Sequence, residues 1–486
     1  MSAPAAEATT APAAEAATAP ARAGELFAPG YRGLSAGLVS TITLIAVESL
    51  AIGTVMPVVV RELGDQELYG WIYAAFYLGN MLGISLVGPI LDRVPVRLPF
   101  GVGLLLYAAG LLAAGVAPSM PILIAARFVQ GCGGGTLTPT SYVAIGRRLP
   151  QHLQPPMFAL LSAAWVVPGL VGPSIAALVG ATLGWRWVFL ALLPLLAVAG
   201  LVALHALGSV PGAGRGEEDP EHEAMARRVP FALLSLLGAG LMIAALKAPE
   251  PPVVVGGTLL GLVLLVPAFR RLTPPGTLRG AEGVPAAVLL RGAMTFGFFA
   301  SDGFLALLLQ TWRGTTPALT GVVFTVTTIA WSVATWLQAR RIDRWGVVGF
   351  TRLGFGMLAL GAVLSVAAVS PAVAPEILAV TWILAGAGMG AMYSAATLVV
   401  LRRSHPSEQG TATSSLQLAD ILGTALGVGA GGAITAAGTR AGGDGLGWAL
   451  AATFVLTAVV SVLGWLASGR LGHVLPSRSA GAAAVD

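Results

Sequence analysis

Three acidic residues lie inside long apolar stretches of the sequence: Glu48, Asp302 and Asp420. A charged carboxylate at the centre of a bilayer costs roughly 2.5–3.5 kcal/mol on insertion scales, so each of them needs a reason to be there. Burial raises the proton affinity of a carboxyl group, and a nearby arginine lowers it. We therefore expect Glu48 to exchange protons, with Arg127 in the fourth apolar stretch as the partner that tunes it. The alternative is a static structural ion pair.

Asp302 has different neighbours, because residues 298–304 read Phe-Phe-Ala-Ser-Asp-Gly-Phe. A lone acid among aromatic rings suits a lipophilic cation through charge and cation–π attraction. The equal alternative is a carboxyl group that is simply hydrogen-bonded within a helix bundle. We assign Asp302 to proton coupling as well as to substrate binding. For Asp420, in the thirteenth apolar stretch, we predict a secondary proton-coupling or gating role.

The composition excludes a water-soluble globule. The chain has 486 residues, of which 56% are hydrophobic and only 10% are charged. Soluble domains carry about 25% charged residues, which is far more polar surface than this chain has available. The net charge of +5 comes from basic residues in short loops between apolar stretches, so it does not indicate a nucleic-acid partner.

Residue usage also excludes several kinds of site. The only lysine, Lys247, lies between Leu246 and Ala248, so the chain has no Walker-type ATP site. The single cysteine, Cys132, rules out an intrachain disulfide and a cysteine-based metal cluster. The histidines do not cluster along the sequence. We therefore predict no cofactor and no metal site.

Fourteen apolar stretches of about twenty residues each predict an all-α integral membrane protein with fourteen transmembrane helices. The predicted spans are 33–60, 69–92, 98–117, 119–148, 155–181, 187–208, 229–248, 252–270, 285–310, 317–341, 347–370, 374–402, 410–437 and 446–469. The domains that follow from them are a disordered cytoplasmic tail (1–30), an N-terminal six-helix half (31–208), a cytoplasmic linker (209–228), an inserted helix pair (229–283), a C-terminal six-helix half (284–470) and a cytoplasmic tail (471–486).

The placement of arginine predicts the orientation. An even number of spans puts both termini on one side, and most of the loop arginines fall on that same side. Cytoplasmic loops carry the excess of basic residues in membrane proteins. We therefore expect both termini to be cytoplasmic, in a multi-pass protein of the bacterial cytoplasmic membrane.

The two halves of the sequence repeat one another. Asp92-Arg93 follows the second span and Asp343-Arg344 follows the tenth. In the fourth and the twelfth span, two glycines are followed at the same spacing by a pair of arginines. The fourth span has Gly131, Gly133 and Arg147-Arg148, and the twelfth has Gly386, Gly388 and Arg402-Arg403. Spans 1–6 thus correspond to spans 9–14. Parallel six-helix repeats are typical of transporters with a central site between two rocking halves.

These motifs resemble those of the major facilitator superfamily, and within it the fourteen-helix branch of drug:proton antiporters. The loop after the second span resembles the family's Gly-x-x-x-Asp-Arg-x-Gly-Arg-Arg, the fourth span its Arg-x-x-Gln-Gly-x-Gly, and the fifth span its antiporter motif. The residues that carry the resemblance are Gly88, Asp92, Arg93 and Arg97; Arg127, Gln130, Gly131 and Gly133; and Gly172 and Pro173.

The resemblance implies roles for several of these residues. Gly88, Asp92, Arg93 and Arg97 would form a conformational latch, with Asp92 near a helix N-terminus and Arg93 bonding neighbouring helices. Asp343 and Arg344 look like its second copy. We expect the antiporter motif, which comprises Gly169, Gly172 and Pro173, to bend the fifth helix, allow close packing and form an anti-leak seal. For the substrate cavity we predict Trp165, Asp302, Gln310 and Trp331, although membrane aromatics more often face lipid or fill the core.

The function implied is proton-coupled export of lipophilic drugs or metabolites, with cations among the candidates, by alternating access. The expected partners are the lipid bilayer, a small lipophilic substrate and protons, and the expected state is a monomer. A dedicated exporter of a lipid or a biosynthetic product on the same scaffold is the nearest alternative. A membrane-embedded enzyme would need clustered His, Asp, Ser or Cys at one membrane face, and a channel would need a repeated pore motif; the sequence shows neither.

Overall fold

The computed structural model describes residues 23–208, 220–246, 248, 250–404 and 409–472. These residues form fifteen α-helices, and none of them lies in a β-strand. Eleven helices in this part of the chain are long and apolar enough to cross a membrane. The 22 residues of Pro251–Leu272, for example, span about 33 Å at the usual helical rise, which matches a hydrocarbon core of about 30 Å. The protein is therefore an all-α, multi-pass membrane protein.

The first half of the chain contains eight helices. They are α1 (Arg32–Leu63), α2 (Tyr69–Arg93), α3 (Arg97–Gly115), α4 (Met120–Arg148), α5 (Gln154–Ala163), α6 (Val166–Thr182), α7 (Arg186–Leu190) and α8 (Leu192–Leu207).

Seven further helices follow. They are α9 (Pro220–Ala245), α10 (Pro251–Leu272), α11 (Val284–Ala306), α12 (Pro317–Ala367), α13 (Ile377–Arg403), α14 (Gln409–Ala441) and α15 (Gly445–Ala467). A π-helix, Leu307–Trp312, continues α11.

The predicted fifth span is divided into two helices, α5 and α6. Helix α6 runs without interruption through Gly169 and Pro173, and the bend expected at this antiporter motif stays a prediction. The break lies between Ala163 and Val166. Proline lacks an amide hydrogen and clashes with the carbonyl four residues earlier, so Pro168 accounts for the end of the helix before it.

Helix α12 contains 51 residues and consists of two segments, α12a (317–345) and α12b (347–367). Gly346 between them has φ 69° and ψ 167°, a conformation that glycine adopts readily and other residues rarely do. Helix α12a runs parallel to α13, whereas α12b runs antiparallel to it, so the chain reverses at Gly346. The contacts that fix these directions are Gly386 with Thr327, Gly390 with Trp331, Gly354 with Gly388, and Gly361 with Thr381. The count of fourteen spans stays a prediction.

The helix packing repeats between the two parts of the chain. Helix α4 runs parallel to α2 and antiparallel to α3, just as α13 runs parallel to α12a and antiparallel to α12b. The contacts for the first set are Gly131 with Phe76, Gly135 with Asn80, Gly103 with Thr136, and Gly110 with Gln130. Small residues at these crossings let the backbones approach closely, as is common between membrane helices. The domain boundaries themselves stay predictions.

Some of the segments predicted to be tails and linkers are ordered. A 3-10 helix, Ala23–Phe27, lies inside the predicted disordered tail, and Leu26 is 1% exposed because it packs in the core. Helix α9 begins at Pro220, within the predicted linker. The remaining parts of those predictions, on 1–22, 209–219 and 473–486, lie outside the described residues.

The helix pair α9–α10 packs beside the junction of α2 and α14. Gly240 of α9 lies near Leu78 of α2, and Ile243 of α9 fits against Gly429 of α14. Arg228 of α9 approaches the hydroxyl of Ser415 in α14 at 3.5 Å. The pair therefore contacts helices from both halves.

The two halves meet near the loop between α1 and α2, residues 64–68, which we call the first-loop end; the opposite end, beside residues 94–96, is the second-loop end. The amide of Gln310 donates a 2.8 Å hydrogen bond to the carbonyl oxygen of Thr54. An ion pair of 3.6 Å joins Glu67 to Arg440 at this end. Gly70 faces Gly432 so closely that a Cβ atom on Gly70 would lie 2.6 Å from the Cα atom of Gly432.

The substitution Gly70→Val should therefore force the first-loop end apart. Spin labels on cysteines at Arg61 and Asp444, in a Cys132→Ser background, should separate by more than about 2 Å, the scale of a real rearrangement. Gly146→Val is the matched control, since nothing lies within 4 Å of a Cβ atom there. An unchanged distance in the Gly70 variant, or an equal change in the control, would contradict this packing.

Candidate functional site

Glu48 and Arg127 form a buried ion pair between α1 and α4, with 1% and 2% of their side chains exposed. The guanidinium also donates to the side-chain oxygen of Gln130 at 2.5 Å. The hydroxyl of Tyr107 donates to the second oxygen of Glu48 at 3.2 Å. The structure thus brings together the pair proposed from the sequence and adds Tyr107 from α3.

The neighbours of Arg127 leave little of its guanidinium unsatisfied. Its Nε atom donates to the carbonyl oxygen of Ile72 at 3.4 Å, and its Cζ atom lies 4.4 Å from the ring centroid of Phe76. Glycines 131, 133 and 135 of α4 make these contacts possible, because they let α2 and α3 approach the backbone of α4. The cluster around Glu48 and Arg127 is therefore closely packed, and the opposite charges of these two residues cancel.

Asp302 of α11 is half-buried and has a different kind of partner. The indole nitrogen of Trp382 in α13 donates to its Oδ1 atom at 2.9 Å. The ring of Phe298 lies 6.2 Å from that of Trp382 and 5.8 Å from that of Trp331. Asp302 makes no ion pair with any described residue. Its carboxylate therefore has an aromatic setting and no positive counter-charge within the described part of the chain.

Asp420 of α14 belongs to a third cluster. The hydroxyl of Tyr393 donates to its Oδ2 atom at 2.8 Å. The Cζ atom of Arg291 lies 3.6 Å from the centroid of the same tyrosine ring, and Arg291 also donates to Thr397 at 2.5 Å. Three atoms of this cluster are buried with no hydrogen-bond partner among the described residues, namely Asp420 Oδ1 and the Nε and Nη1 atoms of Arg291.

Sequence analysis did not single out Arg291, although it is only 3% exposed. The signal that would have found it is an arginine inside the predicted span 285–310, where a charge is as costly as at Glu48. The described part of the bundle thus holds three acids and two arginines in its buried clusters.

Aromatic rings connect the three clusters. Phe76 beside Arg127 contacts Tyr77, and the ring of Tyr77 lies 6.1 Å from that of Phe299 in α11. From there the path continues through Phe298 to Trp331, whose ring lies 5.7 Å from that of Tyr393. A continuous aromatic wall therefore joins Glu48, Asp302 and Asp420.

Of the four predicted cavity residues, Asp302 and Trp331 belong to this wall. Trp165 lies at the break between α5 and α6, and its side chain is 44% exposed. Gln310 is buried in the π-helix, where its amide bonds Thr54 and Thr320. The structure does not bring Trp165 or Gln310 together with Asp302.

The predicted latch lies at the second-loop end. Asp92 is the penultimate residue of α2, and Arg93 ends that helix. Arg147 at the end of α4 donates to the carbonyl oxygen of Leu91 at 3.0 Å. In the second copy, Arg402 at the end of α13 lies 3.8 Å from Asp343.

The two copies therefore share one arrangement, in which an arginine that ends the fourth helix of a half reaches the end of the second helix. The remaining latch residues are helical: Gly88 lies in the last turns of α2, Arg97 begins α3 with an exposed side chain, and Arg344 is exposed in α12a. The latch role stays a prediction.

The antiporter motif lies where α6 crosses α12a. A Cβ atom on Gly169 would lie 2.0 Å from the methyl carbon of Thr328, so the crossing requires glycine there. One turn further on, a Cβ atom on Gly321 would lie 3.2 Å from the carbonyl oxygen of Pro173. Gly172 instead faces α1, with the carbonyl oxygen of Val47 3.8 Å away. The motif thus packs the two halves together, and its role as a seal stays a prediction.

A multi-pass helical bundle with two repeated halves and charged clusters inside each half is typical of a membrane transporter. The sequence profile of the Major Facilitator Superfamily matches residues 36–282, which is half of the chain. The chain belongs to this superfamily.

The comparisons with known proteins agree with this assignment. The chain is 27% identical to a Mycobacterium tuberculosis protein named "Probable multidrug-efflux transporter", over 91% of this chain and 95% of that protein. It is 25% identical to the "Methylenomycin A resistance protein" of Streptomyces coelicolor, over 84% and 88%. The crystal structure of an auto-inhibited POT family peptide transporter shares the fold with a TM-score of 0.69 and 15% identity, over 92% of this chain and 99% of that one.

The ion pair between Glu48 and Arg127 should behave as a unit. Glu48→Gln or Arg127→Gln alone should lower the free energy of unfolding by about 3–5 kcal/mol, because each leaves one buried charge without its partner. The double variant should lose much less than the sum of the two, as measured by denaturant titration in detergent. The exposed pair Glu62 and Arg186 is the control, and breaking it should cost at most about 1 kcal/mol. Additive losses at Glu48 and Arg127 would show that they are not coupled.

Proposed function

We propose that the protein exports lipophilic organic cations from the cytoplasm in exchange for protons, by alternating access between the two halves. The observation that carries this proposal is the uncompensated carboxylate of Asp302 in its aromatic surroundings. Of the three acids inside the bundle, Glu48 is paired with Arg127, and Asp420 accepts a hydrogen bond from Tyr393, whose ring stacks on Arg291. Asp302 is the acid that remains for a ligand.

Physical chemistry makes a proton and an organic cation compete for that carboxylate. Two opposite unit charges 4 Å apart attract by about 4 kcal/mol at an effective dielectric constant of 20. Contact with aromatic faces adds about 0.5–2 kcal/mol for a cation. A protonated Asp302 offers no charge to a cation, and a cation-bound Asp302 favours the ionised form. Binding of one therefore promotes release of the other, which is the requirement for antiport.

The direction of export follows from the proposed orientation. Arginine pairs end α4 and α13 at the second-loop end, and basic residues favour the cytoplasmic side. The first-loop end would then face outward in the bacterial cytoplasmic membrane. The contacts between the halves at that end, through Gln310 and Glu67, support a conformation in which this outward face would be closed. Asp302 would be reached from the cytoplasm, where the substrate is collected.

The energy available is sufficient for useful export. Exchange of one proton for one monovalent cation moves no net charge, so the pH gradient alone drives it. Each tenfold proton gradient supplies about 1.4 kcal/mol, equivalent to a tenfold substrate gradient. Protons bound at Glu48 or Asp420 would add the membrane potential, at about 2.3 kcal/mol per charge per 100 mV. All three clusters come from one chain, so the proposal needs only a monomer.

The relatives support drug export as the outcome, since the Mycobacterium tuberculosis protein is named for multidrug efflux. The name of the Streptomyces coelicolor relative favours a second candidate, the dedicated export of one antibiotic or other biosynthetic product. The two candidates differ in breadth of substrate and share the scaffold and the energy source.

Proteoliposomes loaded at pH 6 and diluted to pH 8 test the proposal. The wild type should accumulate ethidium against its gradient while the lumen becomes less acidic, and Asp302→Asn should abolish the accumulation. Asp444→Asn, at an exposed carboxylate outside the three clusters and the latch, is the matched control and should retain at least half of the flux. Accumulation that is unaffected by a collapsed pH gradient, or by Asp302→Asn, would refute the proposed coupling.

A further inference from the structure

The internal repeat places Trp382 at the position that Arg127 occupies in the first half. Arg127 lies four residues before Gly131, the first helix-crossing glycine of α4, and Trp382 lies four residues before Gly386, its counterpart in α13. Gly131 packs against α2, and Gly386 packs against α12a in the same way. The register that aligns the two helices therefore aligns an arginine with a tryptophan.

The acids that these two residues contact also correspond to each other. Glu48 lies in the first helix of one half and Asp302 in the first helix of the other. Arg127 donates to an acid 79 positions earlier in the chain, and Trp382 donates to an acid 80 positions earlier. Each half thus contains the same contact, a side-chain donor of the fourth helix on a carboxylate of the first.

The two contacts differ by one unit of charge. The guanidinium neutralises Glu48, and the pair is almost completely buried. The indole supplies a hydrogen bond and no charge, so it leaves the charge of a half-buried Asp302 carboxylate uncompensated. Trp382 itself has no exposed surface, because it packs against Phe298 and Phe454. Its position is fixed by the fold, and its chemistry determines the charge of the site.

We propose that Trp382 is the specificity-determining residue of the Asp302 site, and that its neutrality allows the site to accept a monovalent organic cation. A cationic side chain at this position would convert the Asp302 site into a second copy of the closed pair in the first half. The inference rests on the proposed function, since it assumes that Asp302 binds the substrate. The inference explains why Asp302 is available to a cation, whereas Glu48, at the equivalent position of the other half, is not.

Binding of tetraphenylphosphonium to the purified full chain in lipid nanodiscs, measured by equilibrium dialysis at pH 7.5, tests the inference. Trp382→Arg should weaken binding at least tenfold, equivalent to about 1.4 kcal/mol. Trp382→Phe keeps an uncharged ring and should bind within about threefold of the wild type. Asp302→Asn should abolish binding in any background.

The variant Trp382→His provides a second test in case Trp382→Arg does not fold. The charge of the histidine can be changed by pH within a single protein preparation. An ordinary histidine is largely neutral at pH 8 and mostly charged at pH 5.5. This variant should bind the cation at pH 8 and lose at least tenfold more affinity than the wild type on going to pH 5.5. The wild type, measured in parallel, reports every pH effect that does not depend on residue 382.

Among the described residues, tyrosines 69 and 77 of α2 pack against Phe304 and Phe299 of α11, and Tyr73 lies within hydrogen-bond distance of Tyr69. Tyrosines ordinarily titrate near pH 10, outside this range. The extra loss of cation affinity in Trp382→His at pH 5.5 would therefore result from protonation of the histidine.

The outcomes separate this inference from the proposed function. A wild type that binds no tetraphenylphosphonium, or an Asp302→Asn variant that binds it normally, would overturn the proposed cation site. A different result would overturn only the role of Trp382. In that case Asp302→Asn would abolish tetraphenylphosphonium binding, but Trp382→Arg, or Trp382→His at pH 5.5, would still bind it as the wild type does. Selective loss in both charged variants would establish it.

Discussion

A carboxylate in the hydrocarbon region of a membrane stays ionised only where another group compensates its charge. Glu48 has the guanidinium of Arg127, whereas Asp302 has only the neutral indole of Trp382. The missing counter-charge has to come from a proton or from a bound cation. One carboxylate cannot hold both, and this exclusion is the physical basis for coupling export to the proton gradient.

The scaffold serves this exchange by holding two similar halves together through close helix crossings. Gly70 against Gly432 and Gly169 against Thr328 are crossings at which even one methyl group would not fit. Small residues of this kind allow tight contact between helix backbones without strong polar bonds. Such contacts can be made at one end of the bundle and released at the other for a modest change in free energy, which a proton or a cation can supply by preferring one state.

The all-α, membrane-spanning fold was predictable from the sequence, because the length and apolar character of each helix can be read from its own residues. The acids and Arg127 were likewise visible as charges inside apolar spans. The partners were harder to predict. Trp382 lies 80 positions from Asp302, and their contact depends on how α11 and α13 cross. The register of Gly131 and Gly386 already aligned Trp382 with Arg127, whereas the stacking of Arg291 on Tyr393 required the three-dimensional packing of α11 and α13.

The central claim is that one site exchanges a proton for a cation, and proton release on binding measures this most directly. Tetraphenylphosphonium added to the purified protein in weakly buffered detergent solution, with a pH-sensitive dye, should release up to one proton per bound cation. The amount released should fall as the starting pH is raised and Asp302 becomes ionised beforehand. Cation binding without any release of protons at every starting pH would contradict the account.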